Sequence, residues 1–328
     1  MSRRGLLLFA AMCLAWGIPY LLIRVAVAEM SPGVLVFART GLAAAILLPI
    51  ALLRADLRPV LHHWPWIVAF AIIEIAFPWV LLASAEQQIS SSLAGLLISG
   101  VPLVGAAIAA IVGGPDRVGR RQLAGLLLGF AGVAAIAGGD FEAESAAALA
   151  QVAVVVVCYA VGPFILARRL AGVSSLGIMS LSLALTAALY LPVAAAGWPA
   201  MTPSREALAS IAILAVVCTA AAFLLFAALI GEVGPVRATV ITYVNPAVAA
   251  VLGVALLGEV LTPAMLLGFA LTITGSTLAT RRPEMPEAEA TAVEVAGVDD
   301  GSGRPAEDTD GAPGGARSAG DAETAARP

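Results

Sequence analysis

The amino-acid sequence predicts an all-α integral membrane protein with ten transmembrane helices arranged as two inverted five-helix repeats, followed by a disordered C-terminal tail. Three observations carry that expectation. Only 12% of the 328 residues are charged and 60% are apolar, at a mean hydropathy of +0.97, whereas an ordinary soluble domain carries about 25% charged residues. Apolar runs of roughly 20 residues, the length that crosses a hydrocarbon core, recur ten times between Gly, Pro or charged interruptions. The first five runs match the second five at a nearly constant offset.

The first run, 6–27, follows Ser2-Arg3-Arg4 and carries Trp16, Pro19, Tyr20 and, near its end, Arg24. Its opening looks like a twin-Arg or secretory signal, but no small-x-small cleavage site closes it and nine runs follow, so a retained helix is expected. The second, 33–53, places Arg39 about two turns inside; a polar connection with Asp56, Arg58, His62 and His63 leads to the third, 65–85, which has Glu74 at its middle and Trp79 beyond. The fourth, 91–112, shows Ser92, Gly95, Ser99 and Pro102 at helical spacing, and the fifth, 121–139, shows Gly125, Gly129 and Gly132. The sixth, 149–167, holds Cys158, Tyr159 and Pro163; the seventh is 174–196; the eighth, 207–230, holds Cys218. The ninth, 236–257, has Thr239, Thr242, Tyr243 and Pro246 on one face with Asn245 beside them, and the tenth, 263–280, has Gly268 and Gly275. Beyond Arg282 the chain is Pro, Gly, Ala, Ser and acid, a composition that buries too little apolar area to offset the entropy of ordering.

All 18 basic residues are Arg. With no Lys there is no Walker A lysine, Schiff-base lysine or lysine general base, which excludes an ATP-driven pump or a retinal-type protein in this polypeptide. Eleven of the 22 acids lie in the tail, so residues 1–282 carry 15 Arg against 11 acids. With the N-terminus inside, twelve Arg fall on the cytoplasmic side: Arg3, Arg4, Arg54, Arg58, Arg117, Arg120, Arg121, Arg168, Arg169, Arg237, Arg281 and Arg282. The opposite loops hold Arg205 and the acids Asp140, Glu142 and Glu144. Positively charged loops stay cytoplasmic, so a multi-pass protein of the plasma membrane with both termini inside is expected. Cys13, Cys158 and Cys218 are far apart in apolar runs and read as core, and with two His no metal site and no cofactor is expected.

At a shift of 144, Pro19 meets Pro163, Arg24 meets Arg168, Gly33 meets Gly177 and Pro102 meets Pro246; at 143, Asp116 meets Glu259, Gly125 meets Gly268 and Gly132 meets Gly275. Five spans per half force the second copy to enter the membrane upside down, the architecture of many secondary transporters. The halves are 1–144 and 145–282, with the tail at 283–328.

Trp16-Gly17-Ile18-Pro19, Arg39 and the stretch from Pro102 to Gly132 resemble the EamA-type transporters of the drug/metabolite transporter superfamily, and the second half repeats the pattern in Asn245-Pro246, Leu257-Gly258-Glu259, Thr262-Pro263 and Gly268 through Gly275. The resemblance covers about residues 6–282 and implies a ten-helix bundle that moves small organic metabolites, often outward, by alternating access. Gly114-Pro115-Asp116 departs from the family's usual Glu after the Gly.

An ionisable side chain inside a span costs roughly 2.5–3.5 kcal/mol on insertion scales and is a functional candidate by default. Glu74 is too short to snorkel from mid-span, so it faces a wet cavity, pairs with a cation or carries a proton. Arg39 is long enough to reach it from the neighbouring helix, as a structural ion pair or as a partner in substrate or proton binding. The repeat aligns Glu74 with Cys218 and Arg39 with Leu183, so the second copy does without either charge. Arg24 and Arg168 fit snorkelling at helix ends, and Asp116 and Glu259 fit capping or loop ordering. The polar faces around Ser99 and Pro102, and around Thr242, Tyr243, Asn245 and Pro246, read as cavity walls with proline kinks. Trp16, Tyr20, Phe77, Trp79 and Tyr159 read as stacking surfaces or as ordinary core, Trp64, Trp66 and Trp198 as interfacial anchors, and the Gly rows of the fifth and tenth runs as close-contact faces.

The expected function is a secondary transporter, not an enzyme, that moves a small organic metabolite, amino-acid-like or drug-like, across the cytoplasmic membrane as an exporter. Its partners are that substrate, the lipid bilayer and, if transport is coupled, protons, with no nucleic acid. The alternatives are a membrane sensor or scaffold and a lipid-modifying membrane enzyme; the latter has only His62, His63, Asp56, Arg54 and Arg58 to work with at one face.

Overall fold

The computed structural model describes residues 2–54, 57–112, 119–138, 146–234, 238 and 240–280. The expected tail lies outside them, as do Asp56, Asp116, Arg117, Asp140, Glu142, Glu144, Arg237 and Thr239. All regular structure among the described residues is helical. The apolar helices are α1 Arg3–Ala26, α2 Pro32–Arg54, α3 Trp64–Ala85, α4 Ser91–Ile111, α5 Arg120–Gly138, α6 Ala146–Arg169, α7 Ser175–Gly197, α8 Arg205–Val233, α9 Ile241–Leu257 and α10 Pro263–Thr280. Among the described residues nine are long and apolar enough to cross a membrane; α9, at 17 residues, is a shorter apolar helix. Large apolar side chains such as Leu7, Leu53, Ile111 and Val260 point outward, a surface suited to acyl chains, which satisfy no backbone polar group and so select continuous helices.

Departures from a regular helix have local causes. Proline has no N–H to give, and α1 is interrupted at Ile18, ahead of Pro19, while α4 breaks at Ser99–Gly100, ahead of Pro102. Pro246, expected to kink the ninth run, stays inside a continuous α9, as do Pro163 in α6 and Pro192 in α7. Two stretches are π-helical: Ala71–Ala76 in α3 and Val216–Ala221 in α8. In α3 the widening precedes Pro78, which leaves the Glu74 carbonyl without its usual donor, and the Phe77 N–H reaches back to Ile72. In α8 no proline follows; the Thr219 hydroxyl instead donates to the Leu214 carbonyl at 2.8 Å. The two π stretches are 145 residues apart, so position within them sets Glu74 opposite Thr219, one residue on from the sequence pairing with Cys218.

The most extensive helix contact joins α5 to α10, and the next joins α2 to α7. The α5–α10 contact is made by the glycines: a Cβ at Gly132 would lie 2.6 Å from the Gly268 carbonyl oxygen and the Thr272 nitrogen, and one at Gly125 would lie 2.6 Å from the Ala279 nitrogen. The backbones approach because nothing stands between them, as the small-residue rows predict. Elsewhere α1 packs on α8 and α9, and α6 packs on α3 and α4.

Candidate functional site

Arg39 is the central feature. The first turns of α2 are apolar and buried, and they carry Arg39 inward to 8% exposure. Its Nε donates to the Thr219 hydroxyl at 3.0 Å, and its guanidinium carbon lies 3.7 Å from the centre of the Trp79 ring. The π-helical turn of α8 makes this possible, since the Thr219 hydrogen is already directed to Leu214 and a lone pair remains for Arg39. The Tyr159 phenol of α6 faces the Trp79 indole, and Tyr20, Tyr159, Cys218 and Glu86 all fall within electrostatic reach of the guanidinium. One buried cation therefore lies on the Trp79 ring of α3, with the tyrosines of α1 and α6 within electrostatic reach.

The expected pairing of Arg39 with Glu74 does not occur. Glu74 faces the other way around α3, against Gly162 of α6, where a Cβ would run into the carboxylate and lie 2.8 Å from its carboxyl carbon. Oε2 of Glu74 is buried without a hydrogen-bond partner, and the side chain acts electrostatically on Cys158 and Tyr159. Glu74 meets α6, whereas Trp79 lies between Arg39 of α2 and Tyr159 of α6. A carboxylate thus borders the aromatic wall from one side and the guanidinium from another, without touching each other.

The remaining sequence expectations divide. Tyr20, Trp79 and Tyr159 gather around Arg39. Trp16 does not: its ring meets Phe226 at 4.9 Å and Phe223 at 6.2 Å, among the apolar contacts of α1 with α8. Tyr243 points at α10, its hydroxyl 3.3 Å from that of Ser276. Ser99 donates to the Leu96 carbonyl at 2.5 Å and so serves the break in α4. Asn245 is buried with Oδ1 unpartnered, Pro246 is buried beside it, and Thr242 is half-buried. Arg24 is half-buried, and its guanidinium donates to the main-chain carbonyl of Glu86 at the end of α3. Arg168, its repeat partner, lies exposed 5.9 Å from the Phe164 ring.

Sequence reasoning missed Thr219, Gly162 and Glu86. Thr219 was legible only through the repeat once the π register is known, and Gly162 looked like one small residue among many. Glu86, directly after α3, reads as a loop acid, yet it is fully buried. It belongs to an end of the bundle tied by polar contacts between loops. Glu259, from the connection between α9 and α10, accepts from the Ser91 and Ser92 amides, both at 2.8 Å, and from their hydroxyls at 2.9 and 2.5 Å, capping α4. Burial works to raise the Glu259 carboxyl, but these four donors outweigh it and hold the group below its ordinary 4.5. At the same end Glu29 accepts from the Ser204 amide at 2.7 Å and from its hydroxyl.

The EamA-like transporter family matches this chain twice, over residues 3–138 and 146–281. The chain belongs to the EamA-like transporter family. YedA of Escherichia coli K12, described as an uncharacterized inner membrane transporter, is 26% identical over 257 residues, which cover 76% of this chain and 82% of YedA; YedA of the O157:H7 strain matches equally. A solved crystal structure resembles the chain at a TM-score of 0.61 and 23% identity, over 85% of this chain and 98% of that one, a likeness of fold. This EamA-like chain is accordingly a multi-pass membrane transporter of the drug/metabolite transporter superfamily. Within it, the buried Arg39 and Tyr20 and the half-buried Trp79, Tyr159 and Glu74 form the polar and aromatic group that the fold brings together.

Proposed function

We propose that this chain is a secondary transporter that exports a small organic metabolite, amino-acid-like or drug-like, by alternating access, with both termini cytoplasmic. The observation that carries the reading is Arg39: a guanidinium buried in mid-helix, with a neutral hydroxyl and an aromatic face as neighbours and no carboxylate bonded to it. A cation in such a place is costly unless something compensates it, and an anionic group on a substrate, with its apolar part against Trp79, Tyr20 and Tyr159, supplies that compensation. Glu74, across the aromatic wall, is the second contact for substrate or a proton carrier.

Two inverted five-helix repeats, 1–144 and 145–282, are part of the proposal. Exchanging the two halves turns the packing of α1 on α8 and α9 into that of α6 on α3 and α4, and it maps the contacts α2–α7 and α5–α10 onto themselves. The two π stretches obey the same exchange. A pseudo-symmetric scaffold of this kind supports alternating access around one central site, the architecture of many secondary transporters.

The test compares, by untargeted mass spectrometry, medium and cytosol of cells expressing the wild type, Arg39→Gln and Glu74→Gln at matched membrane levels. A metabolite enriched outside the cells with the wild type alone is the expected result. Equal profiles in all three would sink the export reading.

A further inference from the structure

Glu86 is a carboxyl group in an unusual position. It has no exposed surface, and neither of its carboxylate oxygens has a hydrogen-bond partner. The charged and titratable groups around it come from three other elements: Glu259 from the α9–α10 connection, Arg24 and Tyr20 from α1, and Arg39 from α2. None of them satisfies it. Arg24 is directed to the main-chain carbonyl of Glu86, Arg39 to Thr219 and Trp79, and Glu259 is itself an acid held in its charged form by four donors.

A fully buried carboxyl beside a half-buried carboxylate does not ionise without cost, and the one with fewer donors keeps the proton. Here Glu259 takes four donors and the Glu86 carboxyl takes none, so the proton falls to Glu86. A metal cation is a poor occupant: among the described residues no group of three His, Cys, Asp or Glu comes together, and a guanidinium already sits on the Glu86 carbonyl. We propose that Glu86 is a proton-binding site, separate from Glu74, that holds its proton while this end of the bundle is closed by the Glu259–Ser91–Ser92 and Glu29–Ser204 contacts. When those contacts part and water enters, the carboxyl hydrogen passes to a water molecule on that side. The site's existence stands on the geometry of the closed protein; only its use in transport rests on the alternating-access reading.

Burial, then the charge of Glu259, pushes the Glu86 carboxyl well above its ordinary 4.5, against the opposing effect of Arg24. The closed end therefore binds the proton more tightly than an open one. Its stability is greatest below the ordinary value and declines as pH rises through the interval up to the raised value.

Infrared spectroscopy of the full chain in lipid nanodiscs reads the protonated carboxylic acid directly through its carbonyl stretch. At neutral pH the Glu74→Gln variant is expected to retain such a band, and adding Glu86→Gln is expected to abolish it. A band that survives the second substitution, or one absent from Glu74→Gln, overturns the proposal. Should Glu86→Gln fail to fold, a titration of Glu74→Gln with and without Glu259→Gln decides: losing the neighbouring negative charge must move the midpoint of the band to lower pH, and an unmoved midpoint overturns the site. These readings need no substrate, so a failed export assay leaves them standing, and a lost band with intact export removes Glu86 alone.

Discussion

Glu259→Gln tests how firmly one end of the bundle is tied. Oε1 of Glu259 accepts from the Ser91 amide and hydroxyl, and Oε2 accepts from the Ser92 amide and hydroxyl. An amide keeps one acceptor oxygen and turns an NH2 donor toward the other pair, so two of the four bonds go. At about 1.5 kcal/mol for each bond to a charged acceptor, the loss is about 3 kcal/mol, or roughly a hundredfold in the ratio of tied to untied ends. The amides of Ser91 and Ser92 report it, and hydrogen–deuterium exchange of the α3–α4 segment in nanodisc-embedded protein should accelerate by about that factor. Acidification should mimic the substitution. A carboxyl held below 4.5 contributes stability that is present above the ordinary value and disappears as the pH falls through the lowered one. Exchange in this segment that is unchanged in the variant and insensitive to acid would refute the reasoning, because the four bonds would then contribute nothing to closure.

Arg39→Met is expected to leave the apparent melting temperature unchanged or raise it, by up to about 2 kcal/mol of stability, while export falls, since an apolar side chain of similar length removes the cost of a buried charge; a loss of more than about 2 kcal/mol would make the guanidinium a structural element. Gly162→Ala drives a Cβ into the Glu74 carboxylate and should cost about 1–3 kcal/mol. That cost should largely vanish in a Glu74→Ala background, and equal losses in both backgrounds would contradict the placement of Glu74. Gly132→Ala has no such relief, because its neighbours at 2.6 Å include the Gly268 carbonyl and the Thr272 nitrogen, so a lowered melting temperature is expected whatever stands at position 74. Deleting residues 283–328 should leave export intact at normal membrane levels, which the same metabolite comparison would measure.

Most helices were legible from the sequence because their requirement is local. A chain in hydrocarbon must satisfy its backbone within each segment, so runs such as 33–53 and 263–280 could be read as Pro32–Arg54 and Pro263–Thr280 to within a residue. The glycine faces of α5 and α10 were equally local, since only small residues allow two backbones to meet. The break ahead of Pro102 follows from a missing donor, whereas α9 remains helical through Pro246.

Site residues were harder to read. In a soluble helix the contrast between polar and apolar faces reveals which side is inward, but a membrane span is apolar all round and hides its rotational phase. Mid-span depth singled out Arg39 and Glu74, yet nothing in the sequence said that one would meet Trp79 and Thr219 and the other Gly162. Composition and repeat by themselves determined that this protein is helical, lies in a membrane and carries two internal charges that lipid alone would not tolerate. Only the tertiary structure decided that those charges do not neutralise each other, and that Glu86, at a span end where water would be expected, is sealed away from it. Insertion free energy is set residue by residue along the chain, whereas burial and pairing depend on which faces of distant helices meet.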